Sequence, residues 1–234
     1  MADLTSQDYF IVNGISSATV GLYVDTPPVP PMSAQRVTTW ATGIDMDSSS
    51  PDDVWENIAL TINAYKFFKS ADFSISDVYA FLADARTLQL SRFADRYFKV
   101  RQVKSVTPQM QYDGNRIKIQ IGFVCAPFKY HTSNDESEVS TDTVENPGTR
   151  YSRPVWRLTG CNGNAALTVN GQTLQVKVSG TAIIDAERMI AYDGSGGNIM
   201  PKTVGQFPFL QPGVNAVSYS GATGLAVRGN WRDY

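Results

Sequence analysis

Prolines fill four of five consecutive positions early in the chain, at Pro27, Pro28, Pro30 and Pro31. Each proline lacks a donor N–H and restricts the residue before it, so the segment forms neither an α-helix nor an interior β-strand. A stiff, extended, polyproline-like conformation remains. Because such a segment offers no backbone partner to itself, we expect it to lie over another surface.

The residues before the prolines predict a strand, a turn and a second strand. Residues 10–12 are aromatic and β-branched, and Asn13-Gly14 is a dipeptide that supplies the positive φ angles of a tight turn. Extended character returns at residues 21–24, directly before the proline segment (residues 27–31).

The composition is that of a globular protein. Hydrophobic residues make up 42% and charged residues 18% of 234 residues, which is enough chain for one large β domain or two small ones. The 20 basic and 22 acidic residues give a formal net charge of −2. A general nucleic-acid binder needs a basic surplus, so we expect no sequence-specific nucleic acid as a partner.

The sequence also speaks against a membrane-spanning segment and a secretory signal. No apolar run approaches the ~20 residues of a membrane span, and the first residues lack the basic and apolar regions of a secretory signal. We therefore expect that the protein does not insert into a membrane and that it is synthesised in a reducing cytoplasm. Cys125 and Cys161 lie in different segments, which favours two buried thiols over a disulfide.

The first half of the chain shows mostly strand patterns. Residues 54–68 and 116–124 alternate between apolar and polar side chains, and Asp113-Gly114 predicts the hairpin turn before the second of them. Residues 76–86 instead have helical spacing, with Ser76 as the expected N-cap.

Three regions follow from these patterns. Residues 1–131 are predicted to form a β-sandwich with one α-helix. Residues 132–149 are polar and lack periodicity, which indicates a linker or exposed loop. Residues 150–234 contain short strands with turns about every ten residues, including Asn170-Gly171, and predict a second β-sandwich. The predicted fold class is mainly β.

Residues 33–53 contain several aspartates, a residue type that binds calcium in proteins. These aspartates are Asp45, Asp47, Asp52 and Asp53. The ligand spacing and central glycine of an EF-hand loop are missing, so we expect a solvated loop.

The sequence gives little support for a catalytic function. The single histidine, His131, lies at the edge of the predicted linker, and no Gly-x-Ser-x-Gly elbow is present. One histidine and two separated cysteines do not supply a usual metal-ligand set. The glycine-rich residues 194–197 predict a hairpin turn and not a phosphate-binding loop. Spacing does not exclude a carboxylate pair of the glycosidase type, but no pair is indicated. We predict no enzyme, no metal and no cofactor.

Four sequence motifs, taken in order, resemble the distal tail protein (Dit) family of siphophages. They are the opening at residues 10–17 with Gly-Leu-Tyr-Val and prolines after it, Asn-Pro-Gly-Thr at 146–149, Ile-Ile-Asp at 183–185, and Gly-Gln-Phe-Pro-Phe-Leu-Gln-Pro-Gly-Val-Asn at 205–215. The resemblance covers nearly the whole chain. It departs at residues 41–47, where many relatives have Pro-Gly-x-x-Gly.

The resemblance implies a structural part of a phage tail. Members have an N-terminal domain that forms a hexameric ring, single or stacked, and a galectin-like C-terminal domain. The ring joins the tail tube protein to the tail-associated protein, and in many phages it anchors receptor-binding or baseplate proteins while DNA passes through. The resemblance also implies that the protein lies at the distal end of the virion tail.

A ring contact joins two different surfaces of identical subunits. Stiff segments lose little chain entropy on docking, so we predict subunit contacts at the proline segment and within residues 33–53. For Tyr23 and Val24 a place in the core is an equal alternative. The predicted interface residues are Tyr23, Val24, Pro27, Pro28, Val29, Gly43 and Asp45.

A lectin-like tail or cell-surface adhesion protein is the alternative function. Exposed aromatic side chains of the second domain would then stack on sugars. The candidates are Trp156, Tyr192, Phe207, Phe209, Tyr219 and Trp231. The second domain lacks histidine, which speaks against a galectin-type site but not against other sugar platforms.

Overall fold

The computed structural model describes residues 7–41, 47–67, 74–110 and 116–234, with the backbone alone for residues 37–41 and 47–54. The chain divides into two compact units, Met1–Thr132 together with Tyr234, and Ser133–Asp233.

The first unit contains nine strands and one α-helix among its described residues. In chain order these are β1 (Phe10–Val12), β2 (Ile15–Ser16), β3 (Leu22–Thr26), β4 (Gln35–Ala41), β5 (Asp47–Trp55), β6 (Ile58–Phe67), α1 (Ser76–Ala83), β7 (Thr87–Leu90), β8 (Arg96–Met110) and β9 (Arg116–His131). Short 3-10 helices lie at Ser17–Val20 and Ser91–Phe93.

One antiparallel sheet dominates this unit, with the strand order β2-β1-β7-β8-β9-β6-β3. Strands β4 and β5 form a separate two-stranded hairpin. The expectation of a solvated loop at residues 33–53 is therefore wrong for the described part. Valine, threonines and tryptophan at residues 37–40 have high β-propensity, which the aspartates and serines of the stretch obscure.

The two ends of the main sheet meet through the buried hydroxyl of Ser17. This hydroxyl accepts a hydrogen bond from the Phe10 N–H at 3.2 Å and donates one to the Leu22 carbonyl at 2.8 Å. The Val24 N–H also donates to the Asp8 carbonyl at 2.8 Å. Because β1 and β3 lie near opposite ends of the strand order, the sheet curls into a nearly closed wall.

The core of the first unit fills this curled sheet. The Phe10 ring from β1 lies 5.9 Å from Phe81 of α1 and 6.3 Å from Phe123 of β9. Val78 and Leu82 of α1 are buried against the same cluster. The helix therefore stabilises the fold by burying its apolar face, as its spacing predicts.

The helix begins at residue 76 as predicted, but its N-cap and its C-terminal end differ from the prediction. It ends at Ala83, three residues before the predicted end at residue 86. Ile75 is the N-cap residue, so the expected cap by Ser76 is wrong. The Asp77 carboxylate instead accepts a hydrogen bond from the Val78 N–H and forms an ion pair with Lys66 of β6. This ion pair fixes the helix start to the sheet.

The second unit consists of short strands. They are β10 (Ser137–Glu138), β11 (Thr143–Asn146), β12 (Val155–Asn162), β13 (Ala165–Val169), β14 (Gln172–Val176), β15 (Ser179–Asp185), β16 (Ile190–Asp193), β17 (Thr203–Gly205), β18 (Gly213–Ser220), β19 (Gly224–Arg228) and β20 (Arg232–Asp233).

Two five-stranded sheets, β10-β19-β12-β15-β16 and β11-β18-β13-β14-β17, enclose the second core. Strands β10 and β11 lie within residues 132–149, so the structure differs from the linker or exposed loop expected there. Strand β10 has only two residues, both exposed, and one of the two inward side chains of β11 is the polar Asn146, so neither strand shows an apolar repeat in the sequence.

The mainly-β fold class with one helix is confirmed. Asn170-Gly171 forms the predicted turn between β13 and β14, and both residues have positive φ. Asn13-Gly14 does the same between β1 and β2. The hairpin turn predicted at Asp113-Gly114 lies outside the described residues. Cys125 and Cys161 are buried free thiols, as predicted.

Candidate assembly surface

The first part of the proline segment packs on its own unit. Pro27 and Pro28 are half-buried. They border a small depression whose other walls are Asp8, Tyr9, Val24, Leu90, Ser91, Arg92 and Phe93. The expectation that the segment lies over another surface is met here by the ends of β1 and β7.

An ion pair reinforces this contact region. Arg92 Nη2 lies 2.9 Å from Asp8 Oδ2, and its Nε donates to both carboxylate oxygens at 3.0 Å. The Ser91 hydroxyl donates to Asp8 Oδ1 at 3.2 Å. The hydrogen bond from Arg92 is the main cause that lowers the pKa of Asp8 below its usual value.

The far end of the proline segment is also attached. The buried Ser33 hydroxyl donates to the Glu56 carbonyl, and the Glu56 N–H donates to the Ala34 carbonyl at 2.9 Å. Between these attachments, Val29 is 83% and Met32 is 63% exposed. The segment is thus held at both ends and presents two apolar side chains to solvent.

The predicted interface residues separate into three groups. Val24 is 6% exposed and belongs to the core, so its place among the predicted interface residues is corrected. The reason is its position in β3, which turns its side chain inward like that of Leu22. Tyr23 points to the outer face and Val29 is exposed. Gly43 and Asp45 lie outside the described residues.

Tyr23 belongs to a row of aromatic side chains on the outer face of β3 and β6. Its ring lies 6.1 Å from that of Tyr65, which is 5.1 Å from Phe67. Phe67 is 51% exposed. Burial, with a smaller contribution from the negative charge of Asp25, raises the pKa of Tyr65. The spacing of two between Tyr65 and Phe67 was a signal for this row that the sequence prediction did not use.

Aromatic residues of the second unit are mainly structural. Trp156 is fully buried in the core, and Phe207 and Trp231 pack against it. Trp156 is therefore wrong as a sugar platform. Tyr219 is 38% exposed. It lies at a groove of about 340 Å³ whose polar lining residues are Glu138, Ser140, Arg157, Thr159 and Thr223.

Two of the sequence motifs meet in the second unit. The buried Asn146 side chain donates to the Leu210 carbonyl at 3.2 Å and accepts from the Gly148 N–H at 2.9 Å. Asn215 is also buried, donates to the Gln211 and Gly213 carbonyls at 2.8 Å and accepts from the Gln211 N–H at 2.7 Å. These asparagines fix the loop before β18, so both motifs have a structural role.

The single histidine and the two cysteines are all buried. His131 is 5% exposed at the end of β9, close to the end of the first unit at Thr132. Burial raises the pKa of Cys125 to about 12, so its thiol stays protonated at neutral pH. Within the described ranges, no three side chains of His, Cys, Asp or Glu are grouped as metal ligands. The described helix is too short to cross a membrane.

Comparison of the sequence finds no matching family model and no similar curated protein. Comparison of the structure finds the crystal structure of SPP1 Dit (gp 19.1), a protein of the hub adsorption apparatus in phages that infect Gram-positive bacteria. The two chains are 16% identical, with a TM-score of 0.70 over 94% of this chain and 96% of SPP1 Dit. The similarity extends over both units. This chain therefore has the fold of a phage Dit protein.

Proposed function

We propose that this protein is the structural hub of a phage tail tip, a distal tail protein that forms a hexameric ring. The observation that carries the proposal is the shared fold with SPP1 Dit over nearly the full length of both chains. The ring joins the tail tube to the tail-associated and receptor-binding or baseplate proteins, and DNA passes through its centre. Its place is the distal end of the virion tail, after synthesis in the cytoplasm of the bacterial host.

The proline segment supports self-assembly. Val29 and Met32 are apolar, highly exposed and attached on both sides to the first unit. Because the segment is already ordered, docking these side chains costs little conformational entropy. Burying them against a neighbouring copy removes apolar surface from water, which favours association.

The remaining parts of the proposal concern the second unit and the charge. The two-sheet second unit serves as the galectin-like module that projects from the ring. The net charge of −2 keeps passing DNA from being held by the protein. The role is structural, without turnover of a substrate.

The mass of the purified protein tests this function. Light scattering at several concentrations is expected to give a species of roughly six times 25.7 kDa, or a stack of such rings. The double variant Val29→Asp/Met32→Asp is expected to lower the assembled fraction. Val204→Asp, at an equally exposed site of the second unit, is the control and leaves it unchanged. A strict monomer under all conditions, including with tail tube protein, contradicts the proposal.

A lectin-like function is the second candidate, because the groove beside Tyr219 combines an aromatic ring with polar side chains. Binding to a glycan array that is lost in Tyr219→Ala, with unchanged assembly, supports it. Trp156→Ala is unsuitable for this test because it opens a cavity in the core.

A further inference from the structure

One sheet of the second unit has an open cavity of about 240 Å³ on its outer face. The sheet is β11-β18-β13-β14-β17, and residues in or next to its last four strands line the cavity. This cavity shares no lining residue with the groove beside Tyr219. It is therefore a separate site, and residues of the second unit alone form it.

Small side chains create the cavity. Ala166 of β13 lies opposite Ser220 of β18 on one side and opposite Gln175 of β14 on the other. Gln175 in turn lies opposite Val204 of β17. Directly opposite residues of antiparallel strands point to the same face, so these four side chains form one row across the sheet. Because Ala166 and Ser220 are short, the row is lowest there and the longer side chains form a wall.

Two lysines, Lys177 and Lys202, line the same cavity and lie directly opposite each other. The Lys177 N–H donates to the Lys202 carbonyl at 2.9 Å, which extends the register of β14 and β17 by one residue. Both residues are exposed. Like charges directly opposite each other on paired strands are destabilising. A bound anion would remove this cost.

The chain itself does not neutralise the two lysines within the residues that the structure describes. Neither lysine forms an ion pair there, and the described lining of the cavity contains no Asp or Glu. The side chains of Asn164 and Gln175, which also line the cavity, make no hydrogen bond with the described part of the chain. The cavity thus combines two positive charges with two amide groups that are available to a ligand.

Protection of a sheet edge is the simplest alternative role for the lysines. Strand β17 is an edge strand, and a lysine beside such a strand opposes pairing with other chains. Lys202 alone is sufficient for this role. It does not explain Lys177, which follows the inner strand β14, or the amide groups around the same cavity.

We propose that this cavity binds a phosphorylated sugar or polyol, with the phosphate group between Lys177 and Lys202. Ammonium groups donate charge-assisted hydrogen bonds to phosphate oxygens. The amides of Asn164 and Gln175 both donate and accept, so they match hydroxyl groups, which do the same. The volume is below the about 300–1,000 Å³ of pockets for drug-sized ligands, which favours a single sugar or polyol unit. This site goes beyond the proposed hub function and does not depend on ring assembly, because one chain supplies all of its residues.

Saturation-transfer NMR on the full chain tests the site, because the method observes the small ligand and is suited to large assemblies. The probe is glucose 6-phosphate, and the competitors are glucose and inorganic phosphate. We expect glucose 6-phosphate to bind. Each competitor is expected to displace it only at a concentration about tenfold higher or more, because each makes only part of the hydrogen bonds.

Two variants separate the charges from the shape of the cavity. Lys177→Gln/Lys202→Gln is expected to weaken the binding of glucose 6-phosphate about tenfold or more, because the phosphate loses its charged donors. Ala166→Gln fills the cavity and keeps both lysines, and it is expected to weaken glucose 6-phosphate but not inorganic phosphate. The matched control is Arg188→Gln/Arg228→Gln, which removes two exposed cations elsewhere in the second unit and leaves binding unchanged.

Three results would overturn the inference. They are no saturation transfer to glucose 6-phosphate, equal affinity for glucose 6-phosphate and inorganic phosphate, and an equal loss of binding in the lysine variant and in the arginine control. Circular dichroism checks the fold of each variant, and Gln175→Ala, at an exposed position, replaces Ala166→Gln if that chain does not fold. None of these results affects the hub proposal, which the assembled mass tests separately.

Discussion

At the scale of single residues, a few buried polar side chains hold the chain in place. Ser17 joins the two ends of the main sheet, and Asn146 and Asn215 fix the loop before β18. A buried polar group that loses its partner costs more free energy than the bond itself contributes, so each of these residues is sensitive to truncation. The sequence motifs included these residues without revealing their partners, which lie far away along the chain or inside a loop.

Ser17→Ala is expected to lower the free energy of unfolding by about 1–3 kcal/mol, because it leaves the Phe10 N–H and the Leu22 carbonyl without this partner. Chemical denaturation followed by circular dichroism measures the loss. Thr61→Ala, at an exposed position of β6, is the control. Equal stability of Ser17→Ala and wild type would show that the sheet closes without this hydroxyl.

Asn215→Ala is expected to lower the free energy of unfolding by about 2–4 kcal/mol, because several buried backbone groups lose their partner together. Hydrogen exchange then increases at residues 211–213, while the first unit keeps its protection. A uniform increase over both units would contradict this local role.

The ion pair of Asp8 and Arg92 predicts a dependence on acid. The pKa of Asp8 is lowered in the folded protein, so its contribution is present above the unfolded value of about 4 and is lost as the pH falls through the folded value. Because the Arg92 side chain is 64% exposed, solvent screens this ion pair and the effect on stability is small. Unfolding measured from pH 6 to pH 2 is expected to show a smaller acid-dependent loss in Asp8→Asn than in wild type. Equal slopes would contradict it.

At the scale of elements, local chemistry predicted what depends on neighbours in the sequence. The helix, the turn at Asn170-Gly171 and the alternating strand that begins at residue 116 are all present. The closure of the main sheet and the pairing of β4 with β5 were not predicted, because pairing partners are chosen by tertiary contacts. The stiffness of the proline segment followed from its residues, but the surface under it did not.

Phe10→Ala tests how the helix is held. The ring is fully buried between Phe81 and Phe123, so its removal leaves a cavity between helix and sheet. The expected loss in the free energy of unfolding is about 3–5 kcal/mol. Calorimetry is expected to show a lower melting temperature for the first unit. Tyr79→Ala, at a 44% exposed position of α1, is the control and changes little. A similar loss in both variants would mean that the helix itself, and not this contact, is affected.

At the scale of the whole molecule, the residues that were expected at an interface are only partly confirmed as surface. Val29 is exposed and Tyr23 points outward, whereas Val24 belongs to the core. Assembly requires two complementary surfaces, and alternation along one strand does not reveal which distant strand completes a surface.

Electron microscopy of the concentrated protein, with class averages along the view axis, tests the central claim most directly. The account predicts closed rings of six copies around a central hole, and the loss of these rings in Val29→Asp/Met32→Asp. Separate single particles under every condition, with and without the tail tube protein, would contradict it.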